Sequence, residues 1–276
     1  MSARHRKTVS CFLALALFSS CCRAPATVWA DSSKVENLFS ADYVKLAGED
    51  ALHVLSVPSR WTGEEWLLAG FAAGAVVAVG AWADKPIEEE FQKHRTQSND
   101  NFSKAVQPFG AEYSLGVLAA FELGGLAFHN ENARATAQDG LVSSVIATGL
   151  ITLPLKYTIG RKRPDQDSNP HKFSPFSGDD SFPSGHTTQA FAVASVIAEH
   201  YESPFVKIGS YGVASLVGYA RMKRKAHWAS DVLAGALIGT VVGREIVRFN
   251  RNKRSRYKIS MILDGETVGA QVTHLW

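Results

Sequence analysis

Six apolar stretches organise this chain: residues 65–83, 113–128, 140–155, 187–201, 206–220 and 232–248. They are rich in Ala, Gly, Val and Leu, and each is long enough for several helical turns. Between the third and fourth, residues 165–182 are polar with Gly, Pro, Ser and Asp, which predicts a loop. Residues 31–64 mix polar and apolar positions and predict short amphipathic helices. Residues 257–275 alternate with a period of two around Asp264-Gly265, which predicts a hairpin. No internal repeat or low-complexity tract interrupts the pattern. The expectation is an all-α fold, a helical bundle of about six core helices with a short C-terminal β-hairpin.

The N-terminus reads differently. Arg4, His5, Arg6 and Lys7 precede a short apolar run (residues 8–20), and Val28-Trp29-Ala30 sets small residues at the −3 and −1 positions of a cut before Asp31. This is the pattern of a secretory signal peptide over residues 1–30. All three cysteines, Cys11, Cys21 and Cys22, lie inside it. The mature chain would enter an oxidising compartment without disulfides and fold on packing alone. The domains expected are this signal, an N-terminal polar and helical extension at 31–64, a main domain at 65–250 and a basic C-terminal tail at 251–276.

The net charge of +3 also resides in the leader; the remainder carries 25 basic against 26 acidic residues. A global basic field for nucleic acid is thereby excluded. Of the apolar stretches, only 65–83 approaches the ~20 residues that span a bilayer. Glu122 interrupts the second, and Arg244, Glu245 and Arg248 interrupt the last, each costly in lipid. If all six crossed after export, Lys156 would end in the cytoplasm. The reading is therefore an exported bundle packed on itself and lying against a membrane, in the periplasm or on the periplasmic face. Ala/Gly-rich helices also pack well in bilayers, which keeps membrane association open.

Three polar patches terminate apolar runs and carry the chemistry. In the first, Lys156 and Arg163 stand seven apart, two helical turns, so a helix ended by Pro164 would present both cations on one side. In the second, Pro183-Ser184-Gly185-His186 reads as a turn into a helix, with Ser184 as N-cap and free backbone N–H groups suited to an anion. Gly185 lets an oxygen approach, and His186 stands ready as a general acid. In the third, Arg221 adds a cation, and His227 and Asp231 are i and i+4. On a helix that spacing lets the carboxylate fix one ring nitrogen and leaves the other as a nucleophile, although such pairs are also ordinary helix-surface features. Arg161, Lys162, Lys223, Arg224 and Lys225 read as solvated basic positions or an outer rim. The remaining histidines fit no metal spacing.

Taken together, the three patches resemble the type 2 phosphatidic acid phosphatase (PAP2) and vanadium haloperoxidase superfamily. Its pattern is Lys-x6-Arg-Pro, Pro-Ser-Gly-His, and Ser-Arg-x5-His-x3-Asp; this chain has Lys156…Arg163-Pro164, Pro183-Ser184-Gly185-His186, and Ala220-Arg221…His227…Asp231. The resemblance implies that Lys156, Arg163, Ser184, Gly185 and Arg221 bind phosphate, that His186 protonates the leaving group, and that His227 is the nucleophile oriented by Asp231. It implies no metal and no cofactor, with vanadate at the same histidine in the haloperoxidase alternative. A phosphorylated lipid or small phosphate is the implied substrate, hydrolysed as a phosphomonoester or pyrophosphate. A non-catalytic envelope protein is the reading from another class. Two positions depart from the pattern: Ala220 replaces a Ser, and Lys225, where the family often has Gly, is expected to add a cation at the mouth.

Overall fold

A computed structural model describes residues 28–30, 35, 37–38, 40–255, 257–264 and 267–274. The expected signal peptide lies outside the described residues apart from Val28–Ala30, which forms strand β1. Helices follow in the order α1 (Ala41–Ser56), α2 (Gly63–Ala78), α3 (Asp84–Lys93), α4 (Gln97–Val106) and α5 (Glu112–Ala127). Then come α6 (Glu131–Ser144), α7 (Leu153–Ile159), α8 (Gly185–His200), α9 (Pro204–Lys223) and α10 (Ala229–Ser255). Wide π-type turns at Val79–Ala83 and Val145–Thr152 join α2 to α3 and α6 to α7 without a break. Strands β2 (Tyr257–Asp264) and β3 (Thr267–His274) pair as an antiparallel hairpin, with β1 on the outer edge of β2.

The bundle is built around α8, which packs against α6, α9 and α10. Its closest neighbour is α10, and the sequence explains why. Gly235, Gly239 and Gly243 recur every four residues, forming a stripe along one side of α10. A Cβ at these positions would stand 2.6 Å from Ser184 O, 2.3 Å from Thr188 O and 2.6 Å from Ala192 O. Only glycine permits this backbone approach, the same device that close helix pairs use in bilayers. Around it, Val142, Ile146, Ala147, Ala192, Val242 and Ile246 form the main apolar core, closed on one side by Tyr43 and Val54 of α1.

The six-segment expectation fails for α2. The helix starts well, because the Thr62 side chain accepts from Glu65 N while Glu65 accepts from Thr62 N. Yet no α2 residue is buried. Leu67, Leu68, Phe71 and Val77 are 65 %, 69 %, 76 % and 69 % exposed. A helix apolar on every side has no polar face for water. Gly63–Lys93 and Glu131–Ile159 are both long and apolar enough to cross a membrane. Trp66 and Trp82 are likewise exposed, whereas Trp228 is buried.

Candidate active site

Each polar patch arrives at the same end of the bundle. The Lys156–Arg163 patch does so by a route that the spacing did not anticipate. Helix α7 stops at Ile159, and Gly160 adopts the left-handed conformation with φ 57°. A Cβ there would stand 1.9 Å from Ser174 O, so only glycine fits. Lys156 therefore lies on the last turn of the helix, while Arg163 is held in the loop beyond it. The helical pairing of the two cations is not observed; the chain reversal brings them together instead.

Segment Asp180–Gly185 is the hub. Lys156 Nζ donates to Asp180 O. Arg163 donates to Asp180 through Nε at 2.8 Å and Nη2 at 2.7 Å. His227 Nδ1 lies 2.7 Å from Ser181 O. Ser184 N donates to Asp231 O at 3.0 Å. A carbonyl oxygen only accepts, so His227 Nδ1 carries the proton and Nε2 keeps its lone pair. Lys156 Cε lies 3.6 Å from where a Cβ on Gly185 would stand, which seats the lysine against the start of α8. The PSGH turn needs little side-chain help: Ser184 is the N-cap by position, but its hydroxyl meets Thr187 Oγ1 at 2.9 Å, and no side chain caps the first turn of α8. Its backbone N–H groups are thus left for another acceptor.

Arg221, on the last turn of α9, is 8 % exposed. Its Nη1 donates to Gln107 at 3.0 Å, and its Nε has no hydrogen-bond partner among the described residues. A buried unpartnered guanidinium N–H calls for an acceptor. Beside it, Gly110 lets the α4–α5 connection close over His186, where a Cβ would stand 2.4 Å from His186 O.

The charges act on both histidines. Burial, then Arg221, His227, Arg163 and Lys156, push His186 down to about 4. Burial likewise pushes His227 down to about 4, against the pull of Asp231 and with Lys156 and Arg221 adding to the depression. Burial alone would raise Asp180, but its bond to Arg163 and the neighbouring cations hold it below the usual carboxylate range.

Asp231 behaves differently from the expected partner on a shared helix face. Helix α10 begins at Ala229, so His227 lies before it. Asp231 Oδ2 stands 3.7 Å from His227 Nδ1 and accepts instead from Ser181 Oγ at 2.6 Å and Trp228 N at 2.8 Å. It thus fixes the two residues flanking the ring's hydrogen bond. Arg161 corrects the reading of a solvated rim. It is 2 % exposed and bonded to both Asp231 and Asp84. Lys223 is also buried, with Nζ on Phe91 O and His94 O. Lys225 pairs with Glu88 at 2.9 Å, so the extra cation expected at the mouth is already matched.

A family model for the PAP2 superfamily matches residues 140–255. Lipid A 1-phosphatase of Porphyromonas gingivalis is 42 % identical over 90 residues, 32 % of this chain and 18 % of that protein. Lipid A 1-phosphatase of Rhizobium etli is 37 % identical over 107 residues, 36 % of this chain and 44 % of that protein. The chain thus spans less than half the length of these curated relatives. A transmembrane PAP2-type phosphatidylglycerolphosphate phosphatase of Bacillus subtilis superposes with a TM-score of 0.53. It covers 67 % of this chain and 94 % of that one at 21 % identity, which shows a shared helical fold. The PAP2 region contains all eight expected site residues. Asp84 and Gln107, which contact it, precede it, and nothing in their local sequence marks them. Ser181 and Asp180 adjoin Pro183-Ser184-Gly185-His186 and could have been found by extending that motif backwards.

Proposed function

We propose that this chain is a metal-independent phosphatase for phosphomonoesters or pyrophosphates of lipids, acting through a phosphohistidine. The observation that carries the reading is the hub: one six-residue segment ties Lys156, Arg163, His227 and Asp231 to the start of α8, where His186 stands under the field of Arg221. Lys156, Arg163, Arg221 and the open amides of α8, from Ser184 and Gly185 onward, hold the phosphoryl oxygens and neutralise their charge. His227 Nε2 attacks phosphorus, the bond from phosphorus to the leaving oxygen breaks, and that oxygen takes the proton of His186. Water then attacks phosphorus, its proton passes to His186, and Nε2 leaves with inorganic phosphate released. Burial and the surrounding cations favour the neutral ring of His186; a bound phosphate reverses the sign of the local field and draws the required proton to the ring.

The substrate class follows from the exposed apolar surface of α2 and from the lipid phosphatases among the relatives. The protein works at a membrane, with that surface against acyl chains and the site at a bundle end where a phosphate head group can reach it. Export to the periplasmic face fits the leader-like N-terminus.

The test is phosphate release by the purified full chain from phosphatidic acid, phosphatidylglycerol phosphate, an isoprenyl pyrophosphate and lipid A, with and without chelator. Chelator-insensitive turnover that His227→Ala abolishes is expected. Turnover that requires a metal, or that survives His227→Ala, would overturn the mechanism. Halide oxidation with peroxide and added vanadate, in the absence of phosphatase activity, would favour the haloperoxidase alternative.

A further inference from the structure

Behind His227 lies a closed polar cluster drawn from three distant parts of the chain. Arg161 Nη1 donates to Asp231 Oδ1 at 2.5 Å and to Ser230 Oγ at 2.7 Å. Its Nη2 donates to Asp84 Oδ2 at 2.6 Å and to Pro170 O at 2.7 Å, and its Nε donates to Pro170 O at 2.9 Å. Asp84 also accepts from Ser230 N at 2.8 Å and Ser230 Oγ at 2.6 Å. Both carboxylates are 0 % exposed.

The charges do not cancel. Two carboxylates and one guanidinium leave one net negative charge in a buried place, where an uncompensated charge is expensive. Arg161 alone would neutralise Asp231 and remove its influence on the neighbouring ring. Asp84 neutralises Arg161 instead and returns that influence to Asp231. The ring of His227 lies next to Asp231 Oδ2 and becomes cationic when Nε2 bonds to phosphorus. The buried negative charge then finds its counter-charge, at the moment of reaction.

We propose that Asp84 is a positioning residue for the phosphoryl-transfer step, acting through Arg161 and Asp231 to stabilise the positive charge that develops on His227. The proposal rests on the reading of His227 as the nucleophile. The local structure is built for it. The wide turn Val79–Ala83 ends immediately before Asp84, and Gly80 within it lies against Ser230, where a Cβ would meet Ser230 Oγ at 3.4 Å. Such turns shift the register of a helix and commonly serve functional sites. An apolar helix outside the PAP2 match thereby reaches the back of the site.

Two variants of the full chain test this, assayed on the best substrate of the panel above and compared with wild type and His227→Ala. Asp84→Asn removes the balancing charge. It is expected to lower kcat by about tenfold to a hundredfold, the usual cost of losing an outer partner of a site group, with KM within about threefold. The charge-neutral double variant Asp84→Asn with Arg161→Gln removes both members of the pair and restores Asp231's charge; its kcat is expected at least fivefold above that of Asp84→Asn. A merely structural ion pair would show its recovery in Tm and not in the kcat of the folded variants. The proposal is overturned by a kcat loss below about fivefold in folded Asp84→Asn, by a loss residing in KM, or by a double variant no faster than the single one. If Asp84→Asn does not fold, the double variant decides: kcat within tenfold of wild type supports the proposal, and any larger loss overturns it. An inert wild type, or an active His227→Ala, sinks the nucleophile assignment instead.

Discussion

Replacing Gly239 by Ala tests how far helix packing sets the chemistry. Gly239 sits mid-stripe on α10, one turn beyond Gly235, and is not among the expected phosphate-binding residues. Its added Cβ would stand 2.3 Å from Thr188 O, 2.8 Å from Ala192 N and 3.0 Å from Phe191 Cβ. Two of these neighbours are backbone atoms of α8, so no side chain can turn away. Ordinary contact lies near 3.4 Å, so α8 and α10 must part by roughly 1 Å, and overpacking of this kind costs about 1–3 kcal/mol. The same displacement separates the start of α8 from the start of α10, where His186 and His227 must act on one phosphorus. A misplacement of ~1 Å costs on the order of a hundredfold in rate. The assay pairs phosphate release with thermal unfolding in detergent, and Gly212→Ala on α9 is the control, since a Cβ there meets nothing within 4 Å. Gly239→Ala should lower both kcat and Tm, while Gly212→Ala leaves kcat unchanged and holds or slightly raises Tm, since Ala is the better helix former. A Gly239→Ala enzyme with wild-type kcat and Tm would refute the argument that the glycine stripe sets the active-site geometry.

Three further outcomes follow from the structure. Stability should fall as pH drops from about 6.5 towards 4: the folded state holds His227 near 4, while the unfolded chain takes up the proton near its ordinary value. The window is worth on the order of 3 kcal/mol, checked by chemical denaturation at pH 7 and 4.5, and His227→Gln should lose less. A stability independent of pH across that range would contradict the buried neutral ring. Asp180→Asn should tighten inhibition by inorganic phosphate severalfold, because the half-exposed carboxylate no longer competes for Arg163, a pair worth at most about 1 kcal/mol; weaker inhibition would show that Asp180 instead holds Arg163 in place. Leu68→Lys with Phe71→Lys should shift the protein out of the membrane fraction or prevent its assembly, since a charge within a span costs about 2.5–3.5 kcal/mol. Unchanged flotation with phospholipid vesicles would contradict lipid contact at α2.

Local signals in the sequence carried the helices and the three patches. Apolar periodicity marks where a helix lies, and spacing within a motif survives folding, so Ser184, Gly185, His186, Arg221 and His227 could be named before their neighbours were known. What local pattern does not encode is which side a residue turns to once the chain reverses. Gly160 breaks the helix two residues after Tyr157-Thr158, and Arg161 consequently points into the protein rather than out; a run of three basic residues gives no hint of that. Asp84 is invisible for a different reason. Its partner Arg161 is 77 positions away in sequence, and the two meet only because α3 and the loop after α7 both pack on Ser230 and Asp231 at the start of α10. The exposed surface of α2 is not encoded locally, because a uniformly apolar run reads the same whether it packs in a bundle core or stands outside it. Composition averaged over 65–83 conceals how fully Leu67, Leu68 and Phe71 stand free of the bundle.

The central claim is that the three patches serve one tetrahedral oxyanion. An experimental structure with vanadate bound tests it most directly. The account predicts a single vanadium with His227 Nε2 as its protein ligand, its oxygens contacted by Lys156, Arg163, Arg221 and the first amides of α8, and His186 beside the position opposite Nε2. Vanadate bound elsewhere, or bound to His227 with Arg163 and Arg221 out of reach, would contradict it.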